Sequence, residues 1–442
     1  VVARAALSSD LEVDVAIVGA GYTGLWTAYY LKRSQPDLTV AVIEREVAGF
    51  GASGRNGGWC SAMFATSSSR LARTYGGEAE RALRKALEDT VDEVGSVAAE
   101  EGIECHFKKG GRVMLARNPA QLRRAHEEIA HARSFGIYDD DLRLLKAGEA
   151  KERVGATGVL GALYTRHCAS IHPARLVRGL AEVVERRGVR LFENTPVTEI
   201  WPGRLETARG TVKAAAIVRA TEGFSAQLPG AHRDLIPFYS LMVATEPLST
   251  EVLDHIGLDQ GETFADMRHL VIYGQRTADG RIAFGGRGAP YHFGSRVRPA
   301  FDTDRTIHDQ VKNTLAELFP VLGDVETTHR WGGPLAIARD WHPSVGFDPA
   351  NGLGWAGGYV GDGVAVSNLA GRTLAALITG TDDEGCTKLC WVGHRSRRWE
   401  AEPLRFLGVN CALRAMAVAD HAETRTGRPS RLAGAMSALT GD

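Results

Sequence analysis

Apolar and polar positions change period several times along this chain, and each change predicts an element. Val13–Val18 is a short, β-branched, mostly apolar run, the pattern of a strand buried on both faces. A helical stretch follows, and a second apolar run at Thr39–Ile43 ends on Glu44. Leu83, Leu87, Val91 and Val94 recur at helical spacing over 79–100, as do Leu122, Ala125 and Ile129 over 120–133. His126 and His131 lie in that second, charged helix and read as solvated side chains. His172-Pro173 opens a helix with Leu176, Leu180 and Val183 on one face, ending at Gly188. Val189–Phe192, Val197–Trp201 and Thr211–Ala220 read as strands.

The pattern shifts from Leu235 to Arg330. Leu241–Thr245, Leu270–Tyr273 and Arg281–Gly285 are short strands, the last two joined through Asp279-Gly280, a hairpin signal. A helix over 305–319 turns Val311, Leu315, Leu318 and Phe319 inward. A glycine-rich stretch, 352–363, then leads into the apolar helix Val364–Ile378. These patterns predict a nucleotide-binding α/β unit assembled from 1–85, 160–230 and 331–385. A substrate layer would come from 86–159 and 231–330, and a helical extension from 386–442.

The first unit carries the clearest chemistry. Gly19, Gly21 and Gly24 fit G-x-G-x-x-G, with a strand before them and a helix after. Gly19 allows the tight turn, Gly21 lets a pyrophosphate approach the backbone, and Gly24 brings helix and strand together. The anion would sit on free N–H groups at the helix N-terminus, and Glu44 can accept hydrogen bonds from a ribose diol. A second glycine cluster, Gly49–Gly58, contains Ser53, Arg55 and Asn56 and cannot pack a core. It reads as a backbone cradle for a polar ligand with Arg55 near an anion, or as a surface loop.

Composition narrows the classes. The 442 residues are 44% hydrophobic and 24% charged, with a net charge of −1, so no basic footprint for nucleic acid exists. Residues 1–12 contain no apolar run of signal-peptide type. Asp362, Asn368 and Arg372 interrupt the apolar stretch 356–378 and argue against a membrane span. Six cysteines in so long a chain do not make a disulfide framework, and Cys386/Cys390 lack a second ligand pair for zinc. The expectation is a cytoplasmic protein without a metal.

With those motifs in place, the chain resembles the D-amino-acid oxidase (DAO)-type FAD oxidoreductases, in particular glycine oxidase, sarcosine oxidase and gamma-glutamylputrescine oxidase. The resemblance is carried by residues 13–44, Gly51–Gly58, Ala220-Thr-Glu-Gly223, Trp331-Gly-Gly333 through Pro343-Ser-Val-Gly346, and Gly352–Gly371. It implies a Rossmann-like FAD domain of glutathione-reductase type beside an α+β substrate domain with a mostly antiparallel sheet. Noncovalent FAD would lie along Gly19, Gly21, Tyr22, Thr23, Gly24, Glu44 and Arg45. Gly51, Ala52, Ser53, Arg55, Asn56, Gly57 and Gly58 would follow the pyrophosphate-to-flavin stretch. Val197 and Thr221 would flank the cofactor, and Gly358, Tyr359, Gly361, Asp362, Gly363 and Val364 would lie by the isoalloxazine.

The resemblance also implies amine or amino-acid oxidation by hydride transfer from the substrate α C–H to flavin N5, with imine hydrolysis and O2 reduced to H2O2. Two positions depart from the family. Relatives that bind simple amino acids place arginines where this chain has Leu335 and Gly361. Arg287 and Arg339 are the candidate replacements, each equally readable as an ordinary ion-paired arginine. Tyr239 and Tyr273 are candidate pocket hydroxyls or core tyrosines. The favoured substrate is glycine or an N-substituted glycine. The alternatives are a polyamine conjugate, or a flavin subunit that passes electrons to a partner through the Arg-rich tail.

Overall fold

The computed structural model describes residues 3–382 and 385–434. The last eight residues of the predicted extension, 435–442, lie outside the described residues.

Leu11–Val18 begins with alternating burial and becomes continuously buried as it enters the sheet. It pairs in parallel with Val40–Ile43 on one side and Gly210–Arg219 on the other, Ile17 lying opposite both Val42 and Val218. Arg190–Phe192 extends the sheet beyond Val40–Ile43. Leu353–Gly357 and the antiparallel Ser344–Asp348 extend the other side. Helices Tyr22–Ser34 and Gly363–Thr379 cover one face and pack closely on each other. A Cβ added to Gly371 would stand 2.6 Å from Trp26 Cβ and 2.8 Å from Thr27 N, so the backbones approach as closely as a glycine permits. Trp26 itself is fully buried.

The second sheet has eight strands in the order Thr327–Ala338, Leu235–Thr245, Ile282–Arg287, Ile272–Arg276, Thr263–Asp266, Arg112–Ala116, Gly161–Thr165 and Arg143–Lys146. All neighbours are antiparallel except Thr263–Asp266 with Arg112–Ala116. The expected α/β plus α+β division is therefore the observed one, including the hairpin at Asp279-Gly280. Phe264, Phe284, Val243 and Ile282 form this sheet's outer core with Leu315 and Leu318 of the helix Arg305–Leu318. Its other face meets the nucleotide unit.

Four predicted boundaries move. Strands Gly161–Thr165 and Thr327–Ala338 belong to the second sheet, so the borders at 160 and 331 do not separate the layers. Leu235–Thr245, of which only the second half was expected, pairs with Thr327–Ala338 over nearly its whole length. The border at 85/86 falls inside the helix Gly77–Glu100, whose Leu83, Leu87, Val91 and Val94 pack into the nucleotide unit's core.

The helix Leu404–Thr426 of the extension is pinned to the body. Asp420 accepts from the His269 and Leu270 N–H groups, and Glu423 holds Arg124 at 2.8 Å and His269 at 3.0 Å. His269, Asp420 and Glu423 could together face a cation, but Arg124 already supplies the positive charge there. All six cysteines are unpaired. Among the described residues no helix is long and apolar enough to cross a membrane.

Gly371→Ala should lower stability by about 1–3 kcal/mol through overpacking of the two helices. Urea unfolding checks this, and an unchanged midpoint would mean that the contact yields freely.

Candidate functional site

A cavity of about 460 Å³ opens at the carboxyl ends of the parallel strands Leu11–Val18, Val40–Ile43 and Gly210–Arg219. This is where open α/β sheets take their ligands. Gly19 has φ +106°, and a Cβ there would stand 2.6 Å from the Ala220 carbonyl oxygen. Gly21, at the N-cap position with no side chain of its own to cap with, precedes the first turn of Tyr22–Ser34. The Tyr22 N–H donates to Ser53 Oγ at 2.8 Å, while Gly21, Tyr22 and Thr23 line the cavity. Gly24 lies beneath, its absent Cβ only 2.0 Å from Gly19 O, so its role is packing.

Glu44 faces the cavity, with its carboxylate accepting from Ala20 N (2.8 Å) and Glu46 N (2.9 Å). Burial raises its pKa against those hydrogen bonds. Arg45, over the Phe224 ring, and Val197 line the same end. Gly51, Ala52, Ser53 and Asn56 form the adjoining wall, where Asn56 braces the loop by donating to Ala52 O and Ser53 O.

Arg55 turns away from the cavity. It pairs with Asp302 at 2.7 Å, donates to Gly332 O and stacks over Phe50. The expected anion partner is thus a residue 247 positions away, on the turn Pro299–Thr303. Gly57 and Gly58 lie under Tyr273 and Gln275 of the second sheet and let the layers approach.

At the far end the wall comprises Tyr359, Gly361, Gly363 and Val364 with Leu335, beside Thr221. Tyr359 Oη is 2.9 Å from Thr23 Oγ1, which ties the lead-in of the second helix to the first. Asp362 stands at the uncapped start of Gly363–Thr379, where burial raises its pKa while Arg287 and Arg112 oppose the rise. Gly358 sits behind the wall, donating its N–H to Glu222.

The candidate substrate residues separate clearly. Arg287 ends its strand with Nη2 donating to Val360 O. A Cβ at Gly361 would be 3.1 Å from that Nη2 and 3.3 Å from Leu335 Cδ1, so the three residues meet at the cavity's end. Arg339 is elsewhere: it pairs with Glu400 at 2.9 Å and covers Trp399, as an ordinary ion pair. Tyr239 is a core tyrosine packed with Leu241 and Ala289, its hydroxyl accepting from Arg298 N. Tyr273 faces the other layer, with Oη 2.7 Å from Ser240 Oγ.

Sequence reasoning passed over Glu222, Phe224, Thr198 and Ser367, which also line the cavity. Glu222 had a signal: an acid beside a glycine just past a central parallel strand. Burial pushes its carboxyl up to about 7, against hydrogen bonds from Gly358 N (2.9 Å) and Tyr359 N (3.3 Å).

Against known proteins, the family described as "FAD dependent oxidoreductase" (DAO) matches residues 14–377. Gamma-glutamylputrescine oxidoreductase of Escherichia coli (strain K12) is 29% identical over 379 residues, 85% of each chain. Glycine oxidase of Geobacillus kaustophilus (strain HTA426) is 27% identical over 378 residues, covering 83% of this chain and 92% of that one. The crystal structure of glycine oxidase from Geobacillus kaustophilus shares the fold with a TM-score of 0.72 at 22% identity, covering 87% of this chain and 99% of that one.

FAD fits what is present. The helix start at Gly21–Thr23, where Ser53 Oγ takes the Tyr22 N–H, suits a diphosphate, and the glycine positions that a Cβ would obstruct give it backbone access. Glu44 has lone pairs left for a ribose. Gly19→Ala combines left-handed backbone strain with a contact no side chain can make. We expect the purified variant to lose its yellow colour and bind added FAD at least about 100-fold more weakly, a loss near 3 kcal/mol. Wild-type affinity in this variant would contradict the assignment of the cavity.

Proposed function

The chain belongs to the DAO family of FAD dependent oxidoreductases, and on that premise we propose that it is an amine oxidase acting on glycine or an N-substituted glycine. Bound FAD supplies the acceptor for two electrons and the substrate's α-hydrogen, leaving an imine that water hydrolyses, with O2 as the final oxidant. The chain's own part is to bind, orient and exclude water.

One observation carries the substrate reading. Arg287 brings a guanidinium to the end of the cavity beside Leu335 and Gly361, with a backbone carbonyl as its partner and no carboxylate within ion-pair distance among the described residues. Its remaining donors can take a substrate carboxylate in bidentate fashion. Leu335 adds apolar surface and Gly361 adds none, which leaves room for a substituent on nitrogen. A neutral amine then needs no protein base. The start of the helix Gly363–Thr379 favours negative charge developing beside it.

A second reading has its own support: gamma-glutamylputrescine oxidoreductase, 29% identical, is named for a substrate that carries both an amine and a carboxylate. Arg287 would serve that substrate equally.

Peroxide release over glycine, sarcosine, longer N-alkylglycines, putrescine and gamma-glutamylputrescine distinguishes them. Turnover rising with N-alkyl length supports the first reading, and turnover confined to gamma-glutamylputrescine supports the second. Bleaching of the colour without peroxide would point to a partner as electron acceptor. Arg287→Met should raise KM for the preferred acid by about 10- to 100-fold, the value of a charge-assisted hydrogen bond. It should leave turnover of the amine lacking the carboxylate unchanged, and an unaltered KM for the acid would remove Arg287 from the site.

A further inference from the structure

Glu222 has no part in the chemistry just described, yet its carboxyl stands in the cofactor cavity's wall. It opens the turn Glu222–Gln227 directly after the central strand Gly210–Arg219, at φ +39°, a left-handed conformation that a non-glycine residue adopts at a cost. That conformation aims the side chain at the lead-in of Gly363–Thr379. One carboxylate oxygen accepts from Gly358 N and the other from Tyr359 N. Gly357 must be a glycine for this, because a Cβ there would come within 2.8 Å of Glu222 Oε2. The Ala336 backbone, in the second sheet, stabilises the charged form from the other side. The carboxyl therefore stands where the two layers meet at the cavity.

No cation answers it. Among the described residues none lies within ion-pair distance of Glu222. Of the charged and titratable groups on neighbouring elements, Arg219 pairs with Asp234 and Arg339 with Glu400. Tyr359, bonded to Thr23, feels the Glu222 charge and is pushed up mainly by burial. His342, on the segment behind Gly358, is pushed down to about 4 by burial and stays neutral. Glu44 and Arg45 line the cavity elsewhere, and Arg287 stands against Gly361 beside Asp362.

We propose that Glu222 takes up one proton from solvent as FAD enters the cavity, so that cofactor affinity is linked to pH through this single carboxyl. The proposal rests on the FAD assignment above. Binding removes water from the carboxylate and brings in a diphosphate dianion, and both effects disfavour the charged form. The free protein already holds this group near neutrality, with a pKa of about 7. Filling the cavity raises it further, so binding is favoured by protons. Affinity is constant below the free-protein pKa. Above it, affinity falls by up to tenfold per pH unit until the pKa of the filled state is reached. The protonated carboxyl keeps one oxygen for the Gly358 N–H, so the wall persists through the change.

The test is equilibrium release of FAD on dilution of the holoprotein, read by the fluorescence of free FAD, from about pH 5.5 to about 8.5, a window bracketing the carboxyl. For wild type, log Kd should be flat at the acid end and rise above pH 7 with a slope approaching one. Glu222→Gln keeps an acceptor for Gly358 but cannot ionise, and should give a flat line. Glu44→Gln in the cavity wall and Asp362→Asn next to the wall residue Gly361 should keep the wild-type slope. A flat wild-type line, or a slope retained in Glu222→Gln, overturns the proposal. If Glu222→Gln does not fold, the infrared carbonyl band of a protonated carboxyl decides: it should grow when FAD is added to stripped wild type at neutral pH, and its absence overturns the proposal. A purified wild type that releases no FAD at any pH and takes none up would defeat the cofactor assignment itself, a separate outcome.

Discussion

Everything at the site depends on backbone meeting backbone without side chains between. Gly24 lies so close to Gly19 that a methyl group would stand 2.0 Å from its carbonyl oxygen, and one on Gly19 would stand 2.6 Å from that of Ala220. These contacts fix the first helix against the ends of two parallel strands. Gly371 repeats the arrangement where the last helix of the unit crosses Trp26. Two helix N-termini are thereby brought to one cavity, at Gly21 and at Gly363. A diphosphate suits the first, and negative charge developing in the ring system suits the second.

The layers meet across the same cavity. The second sheet contributes Leu335, with the Arg287 guanidinium against Gly361 at its edge, and the nucleotide unit contributes Gly361 and the loop to Asn56. Polar joints hold the two together: Arg55 to Asp302, Trp331 to Arg55 O, and Gln275 to Gly57 O. Each joins residues more than 200 positions apart. A change on either side of the joint therefore reaches the cavity.

That distance decides what a reader of the sequence can see. The strand, glycine, helix, strand and acid at 13–44 form one local pattern, and the fold gathers Gly19, Gly21 and Glu44 onto the wall of one cavity. The hairpin at Asp279-Gly280 and the helix over 305–318 are local too. Arg55 was misplaced, and Arg339 could not be decided between pocket and ion pair, because their partners, Asp302 and Glu400, are chosen by the fold and leave no trace in spacing. Tyr239 and Tyr273 look alike in sequence, and strand register alone puts one in the core and the other against the nucleotide unit. Gly161–Thr165 and Thr327–Ala338 joined the second sheet through pairings with Arg112–Ala116 and Leu235–Thr245, which no short-range signal announces. Glu222 appeared only as part of the Ala220–Gly223 motif, without a role, because its partners Gly358 and Tyr359 lie 136 and 137 positions away.

The most direct test of this account is a crystal structure of the protein with FAD and a bound N-alkylglycine or simple carboxylate. The account predicts the flavin ring between the start of Gly363–Thr379 and the second sheet, with the carboxylate on Arg287 beside Leu335 and Gly361. A flavin ring elsewhere, or a carboxylate held by another cation with Arg287 still on Val360 alone, would contradict it.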